Sequence, residues 1–267
     1  MKKPSISEFL AYFEPHAVVL AGKAPANPPP GQWGYSWGAR GQVANEGILQ
    51  AQARNFDPKA PESYFARTKR WLGRPIFDCN GLVEAFYGLQ TGEKLDSTAK
   101  GNYRSWCGRK SPAAADERLP ALPQMPGVAL FRGENSAKIS HVGLLLCRYG
   151  DGALDWHVLE CKGADYGLVI SKLKEGKWTH WGVMDQLFDY GEEQGAPLPL
   201  GTLRVSGANV HLRPDPSTEK LPLATVHAGE EFPFFGSVPG WHLLLWKGRT
   251  AYISAKYARL LEAAGDA

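Results

Sequence analysis

The spacing of apolar residues changes character midway along this chain, and that change limits the fold more than any other feature. From Cys79 onward, Leu82, Val83, Phe86 and Leu89 fall at helical spacing, and Gly92 supplies a stop. Ser5 to Phe13 has the same amphipathic character, opened by a Ser5-x-x-Glu8 capping box, and residues 43–72 read as mostly helical. Past a proline- and alanine-rich surface connection, Ser111 to Gly127, the pattern turns to short strand-like runs: Val128 to Arg132, His141 to Arg148 and Leu154 to Lys162. Tyr149-Gly150-Asp151-Gly152 is the turn of a hairpin between the last two, and Gly167 to Leu173 and Trp178 to Met184 extend the sheet. Helices first and an antiparallel sheet second is an α+β layout.

Two stretches punctuate it. Pro25 to Gly31 is extended and leads into Trp33-Gly34-Tyr35-Ser36-Trp37-Gly38, which reads as a packed loop. Gly191 to Leu200 has linker composition, so residues 1–190 form the main domain and 201–262 a second unit. In that unit Val210 to Arg213, Leu223 to Val226, Trp241 to Trp246 and Ala251 to Ser254 recur about every ten residues, the rhythm of a small barrel. Phe232, Phe234, Phe235, Trp241, Trp246, Tyr252 and Tyr257 exceed what so small a core needs, so some of them are free to line a groove.

Composition removes several functions. Among 267 residues the net charge is only +3 and the basic residues are dispersed, which argues against nucleic acid as a partner. The four cysteines form no C-x-x-C pair, and no histidines stand at zinc-ligand spacing, so neither a metal nor another cofactor is expected. No run approaches the ~20 apolar residues of a membrane span, so no membrane insertion is expected. Met1-Lys2-Lys3 begins like an export signal, but no apolar core or cleavage site follows; the chain reads as made in the cytoplasm without a signal peptide.

The chemistry centres on Asp78-Cys79-Asn80-Gly81-Leu82-Val83. A cysteine in the first turn of a helix meets unpaired N–H groups and the positive end of the dipole, which favour thiolate over a free thiol of pKa ~8.5. Lowering that value by about three units takes roughly 4 kcal/mol, whereas a helix terminus gives about 1 to 2. A histidine must supply the rest. Antiparallel pairing about the 150–151 turn sets His141 across from position 160 or 161, which brings Glu160 within reach as the group that orients it. Cys79, His141 and Glu160 thus form the nucleophile, base and orienting acid of a thiol hydrolase. Gly34-Tyr35-Ser36-Trp37-Gly38 also satisfies G-x-S-x-G, but the proline-rich residues before it cannot supply the buried strand that a serine nucleophile elbow requires.

These passages resemble the NlpC/P60 cysteine peptidases, which cut the peptide stems of bacterial peptidoglycan. Tyr35-Ser36-Trp37-Gly38, the Cys79 motif, Ser140-His141-Val142-Gly143-Leu144 and Val158-Leu159-Glu160-Cys161-Lys162-Gly163 match in order over residues 30–184, the last looking like a phage-type branch. The resemblance implies a papain-like fold in which Cys79 attacks, His141 is the base, Glu160 takes the third position and Tyr35 helps hold the oxyanion. It implies that Asp78, Asn80, Trp37 and Ser140 bind substrate. Asn80 stands where relatives usually have serine, and the interval from Trp37 to Cys79 is longer than in compact members. The tail, through Ala208-Asn209-Val210-His211-Leu212-Arg213-Pro214, Gly240-Trp241-His242 and Tyr252-Ile253-Ser254, is similar to a bacterial SH3-like domain, which implies binding to the cell wall. The activity the resemblance implies is cleavage between γ-D-glutamate and the diamino acid of a stem peptide, by a lysin, an exported effector or a cytoplasmic recycling enzyme. An N-acetylmuramoyl-L-alanine amidase and a non-catalytic wall binder are the alternatives.

Overall fold

Helix α1 (Ile6–Phe13) buries Ile6, Phe9, Leu10 and Phe13, the i, i+3, i+4, i+7 stripe of an amphipathic helix, and is capped where Ser5 Oγ accepts the Ser7 N–H at 3.2 Å. The computed structural model describes residues 2–261 except 21, 25, 112–118, 120, 151, 192–200, 215, 239 and 247–248. After α1 come β1 (Val18–Val19), β2 (Gly34–Tyr35), β3 (Arg40–Val43), α2 (Glu46–Phe56), α3 (Pro61–Thr68), β4 (Pro75–Phe77) and α4 (Gly81–Thr91). Then follow β5 (Arg109–Lys110), β6 (Ala129–Gly133), β7 (Ile139–Arg148), β8 (Trp156–Cys161), β9 (Leu168–Lys172) and β10 (His180–Val183). This is the mixed α+β architecture expected.

Seven strands form the main sheet in the order β1-β9-β8-β7-β6-β10-β5, all antiparallel except β1 against β9. The central strand β7 is buried without a break from His141 to Leu146, the pattern of a strand covered on both faces. Phe9 and Phe13 of α1 meet Phe86 of α4 at ring separations of 5.3 and 6.3 Å, which ties the two helices into one apolar core.

Three sequence expectations need correction. The 149–155 loop is longer than a tight turn, β8 starts at Trp156, and Leu144 pairs with Leu159, a register in which position 162, rather than 160 or 161, stands opposite His141. Glu160 is then a diagonal neighbour of His141 on the same face of the sheet, still within reach of a long side chain. Gly34 and Tyr35 form a short strand, not a loop, running parallel to β4 with Tyr35 beside Phe77. Of the Ser111 to Gly127 connection, Leu119, Leu122 and Met125 are buried in the main core instead of lying on the surface, while residues 112–118 and 120 lie outside the described residues. As expected, β10 extends the main sheet, where it lies between β6 and β5.

Of the expected linker, Gly191 to Leu200, residues 192–200 also lie outside the described residues. Beyond it are β11 (Gly201–Val205), β12 (Val210–Leu212), β13 (Ala224–Val226), β14 (Glu231–Val238), β15 (Trp241–Trp246), β16 (Arg249–Ser254) and β17 (Ala258–Leu261). Five of them form a sheet in the order β16-β15-β14-β11-β17, and β12 pairs with β13. Leu203, Val205, Leu212, Leu244 and Ile253 make a small core of their own. Leu243 and Tyr252 belong instead to the main core, with Trp241 packed against it, and β16 abuts β5. Two of the surplus aromatics therefore dock one unit on the other, and Tyr257 stays exposed.

Candidate active site

Cys79 is placed by a cap. Asp78 Oδ1 accepts the N–H groups of Asn80 (2.9 Å) and Gly81 (2.6 Å), and its Oδ2 accepts that of Gly38 (2.8 Å), so one carboxylate starts α4 and fastens the β2 to β3 loop beside it. The Asp78 N–H reaches Ala39 O at 2.9 Å. This approach is so close that a Cβ at Gly81 would stand 2.0 Å from Ala39 O, which only glycine avoids.

Cys79 Sγ lies against the backbone on either side of His141. It is 4.0 Å from Ser140 O, and the N–H of Val142 acts on it. His141 Nε2 donates to Glu160 Oε2 at 2.7 Å, which leaves Nδ1 as the ring nitrogen able to take a proton. Both side chains are buried, and Trp178 stacks on the imidazole at 5.5 Å and 18°. Gly143 makes that stack possible, since a Cβ there would come 2.9 Å from the Trp178 ring and 3.1 Å from Glu160 Cβ.

Glu160 is held from three strands or strand ends. Ser171 Oγ donates to its Oε1 at 2.5 Å from β9, and Lys162 Nζ stands 3.4 Å from the same oxygen. Burial alone would push the Glu160 carboxyl up, but the hydrogen bond and charge of His141, then Lys162 and Ser171, hold it below the usual carboxylate range. It is therefore an anion at neutral pH, and it stabilises an imidazolium. Ser171, Lys162 and Trp178 escaped the sequence reading. Lys162 was legible, because it is two residues from Glu160 on the same strand face; Ser171 and Trp178 depend on pairings that no local pattern reveals.

Six of the expected site residues, Tyr35, Trp37, Asp78, Cys79, Asn80 and Ser140, line one cleft of about 320 Å³, while His141 and Glu160 are buried and do not line it. The Asn80 amide oxygen accepts from Asn102 Nδ2 at 2.6 Å, and that side chain is nearly buried. Arg40, Glu84 and Asp96 complete the wall: Arg40 Nε meets Glu84 at 2.5 Å and its second nitrogen meets Asp96 at 2.8 Å. Three carboxylates against one guanidinium leave the cleft acidic. Ser36 is fully buried, so it cannot serve as an exposed nucleophile. A hollow of about 420 Å³ between α2 and α3 is lined by Gln50, Arg54, Glu62 and Phe65 and contains neither a thiol nor an imidazole.

The helix terminus does not lower the thiol pKa on its own. Burial first, and the Asp78 carboxylate second, push Cys79 up to about 12 against the backbone N–H groups of Val142, Asn80 and Cys79 itself. The resting group is a neutral thiol, activated only when a base takes its proton. Burial above all, with the Asp78 carboxylate adding to it, likewise raises the Tyr35 phenol, which stays a hydrogen-bond donor.

No protein-family model matches the chain. Among solved structures, the crystal structure of Ly7917 is similar at a TM-score of 0.26 and 14% identity, over 94% of this chain and 92% of that one. The crystal structure of Ly7917 with the hydrolyzing product of MDP is similar at 0.25 and 15%, over 66% and 83%. Likeness at that level carries no weight for the chemistry or the substrate of this chain.

Proposed function

We propose that the protein is a peptidoglycan hydrolase of the thiol type, a cysteine endopeptidase that cuts stem peptides between γ-D-glutamate and the diamino acid. The observation that carries it is Cys79 at a capped helix start, lying against the backbone of a histidine that a buried carboxylate orients. His141 Nδ1 takes the thiol proton as Sγ attacks the amide carbon, and Glu160 stabilises the imidazolium. The Cys79 N–H and the Tyr35 hydroxyl hold the oxyanion, each such donor contributing about 3 kcal/mol. His141 then returns its proton to the leaving amine, and water releases the acyl group from sulfur.

The acidic cleft suits a substrate with ammonium groups, which stem peptides carry on the diamino acid and at a free amino terminus. The order of motifs from Tyr35 to Glu160 supports the NlpC/P60 reading and a papain-like main domain, and the tail supports an SH3-like wall-binding unit. The test is muropeptide digestion with the intact protein. Cys79→Ala abolishes cleavage and Ser36→Ala largely retains it; the reverse pattern removes the thiol mechanism.

A further inference from the structure

The long interval between Trp37 and Cys79 holds α2 and α3, and it brings a second aromatic ring beside Trp37, which lines the cleft. Trp37 lines the cleft and is 44% exposed; Phe56, the last residue of α2, is 48% exposed; their ring centres are 6.3 Å apart and tilted by 56°. Tyr64 on α3 fixes both. It is buried, stacks on Phe56 at 4.2 Å and 28°, and its hydroxyl accepts the Trp37 N–H at 2.8 Å. The pair is thus preorganised, so a ligand meets rings that are already ordered.

Two adjacent large rings left half in water offer an open apolar surface beside the cleft. Their chemistry selects the occupant. An apolar side chain needs enclosure, which two tilted, half-open rings do not provide. A second copy of the chain would need about 1,000 Å² of buried surface, far beyond two rings. A pyranose needs one apolar face covered and its polar rim left wet, and this surface offers both. The next residue, Asp57, caps Lys59 and Ala60 through Oδ1 and keeps Oδ2 unpaired among the described residues, an acceptor for a hydroxyl or acetamido N–H on the same loop.

We infer that Trp37 and Phe56 form a saccharide subsite that stacks on an N-acetylated amino sugar still joined to the stem peptide in the cleft. The inference rests on the stem-peptide reading above and deepens it: the substrate is the glycan-linked stem, not the free peptide.

Two measurements on the full-length chain test it. In the Cys79→Ala background, NMR titration with an N-acetylglucosamine tetrasaccharide gives saturable shifts, and Phe56→Ala weakens that binding about fivefold, the share of one aromatic contact. Phe56→Leu, which keeps apolar bulk without a planar ring, folds with an unchanged melting temperature and also weakens binding. With active protein, the ratio of kcat/KM for a disaccharide-linked stem over the same peptide without sugar falls about fivefold in Phe56→Ala. Absence of saturable binding, or an equal effect on both substrates, overturns the subsite. If neither substrate is cleaved by the unaltered protein, the hydrolase reading fails, and the titration still decides whether the sugar binds.

Discussion

Cys79 is buried and sits next to the Asp78 carboxylate; burial first and the carboxylate second oppose its ionisation, and together they set the behaviour of the thiol. Alkylation of Cys79, followed by peptide mass mapping to separate it from the exposed Cys147, is expected to keep accelerating above pH 9 without a plateau near neutrality. Asp78→Asn removes the charge and keeps a capping oxygen, so the curve moves to lower pH; an unmoved curve rules out Asp78 as the opposing charge. Glu160→Gln loses a charge-assisted hydrogen bond to His141, which is worth about 2 kcal/mol and lowers kcat some 30-fold. Ser171→Ala loses a neutral donor and costs about fivefold. Because the folded Glu160 carboxyl lies below its ordinary value, its stabilisation is present above the usual carboxylate range and fades as pH falls through and below it. Acid unfolding of Glu160→Gln should lack that component, as read by circular dichroism against pH.

At the scale of elements, β7 and β8 carry the site and Gly143 governs how they meet Trp178. Gly143→Ala forces a methyl against Trp178, Val158 and Glu160, so it should destabilise the fold by about 1 to 3 kcal/mol in denaturant titration. A change below 0.5 kcal/mol would contradict the close packing described. The helix after Cys79 was legible because periodicity and the Gly92 stop agree; α4 starts at Gly81, so Cys79 lies just before its first turn rather than in it, and Gly92 does end α4 in the left-handed conformation, at φ 73°. The His141 and Glu160 pair was legible despite the wrong register, because a two-residue shift keeps the face and a glutamate spans the diagonal. Arg40, Glu84 and Asp96 were not: the ion pairs join β3, α4 and the loop after it, which only tertiary folding brings together.

For the whole molecule, the second unit is more than a tethered module. Tyr252 and Leu243 give their side chains to the main core, so the two units should unfold as one. Calorimetry of the full chain is expected to show a single transition, and Tyr252→Ala to lower it by the equivalent of about 3 kcal/mol. Two separate transitions would show that the docking contacts do not couple them. The most direct test of the central claim is mass spectrometry of muropeptides after incubation with the purified protein and with its Cys79→Ala variant. The account predicts stem peptides cut on the carboxyl side of γ-D-glutamate by the first and left whole by the second. Stems left whole by both, or cut equally by both, would contradict it.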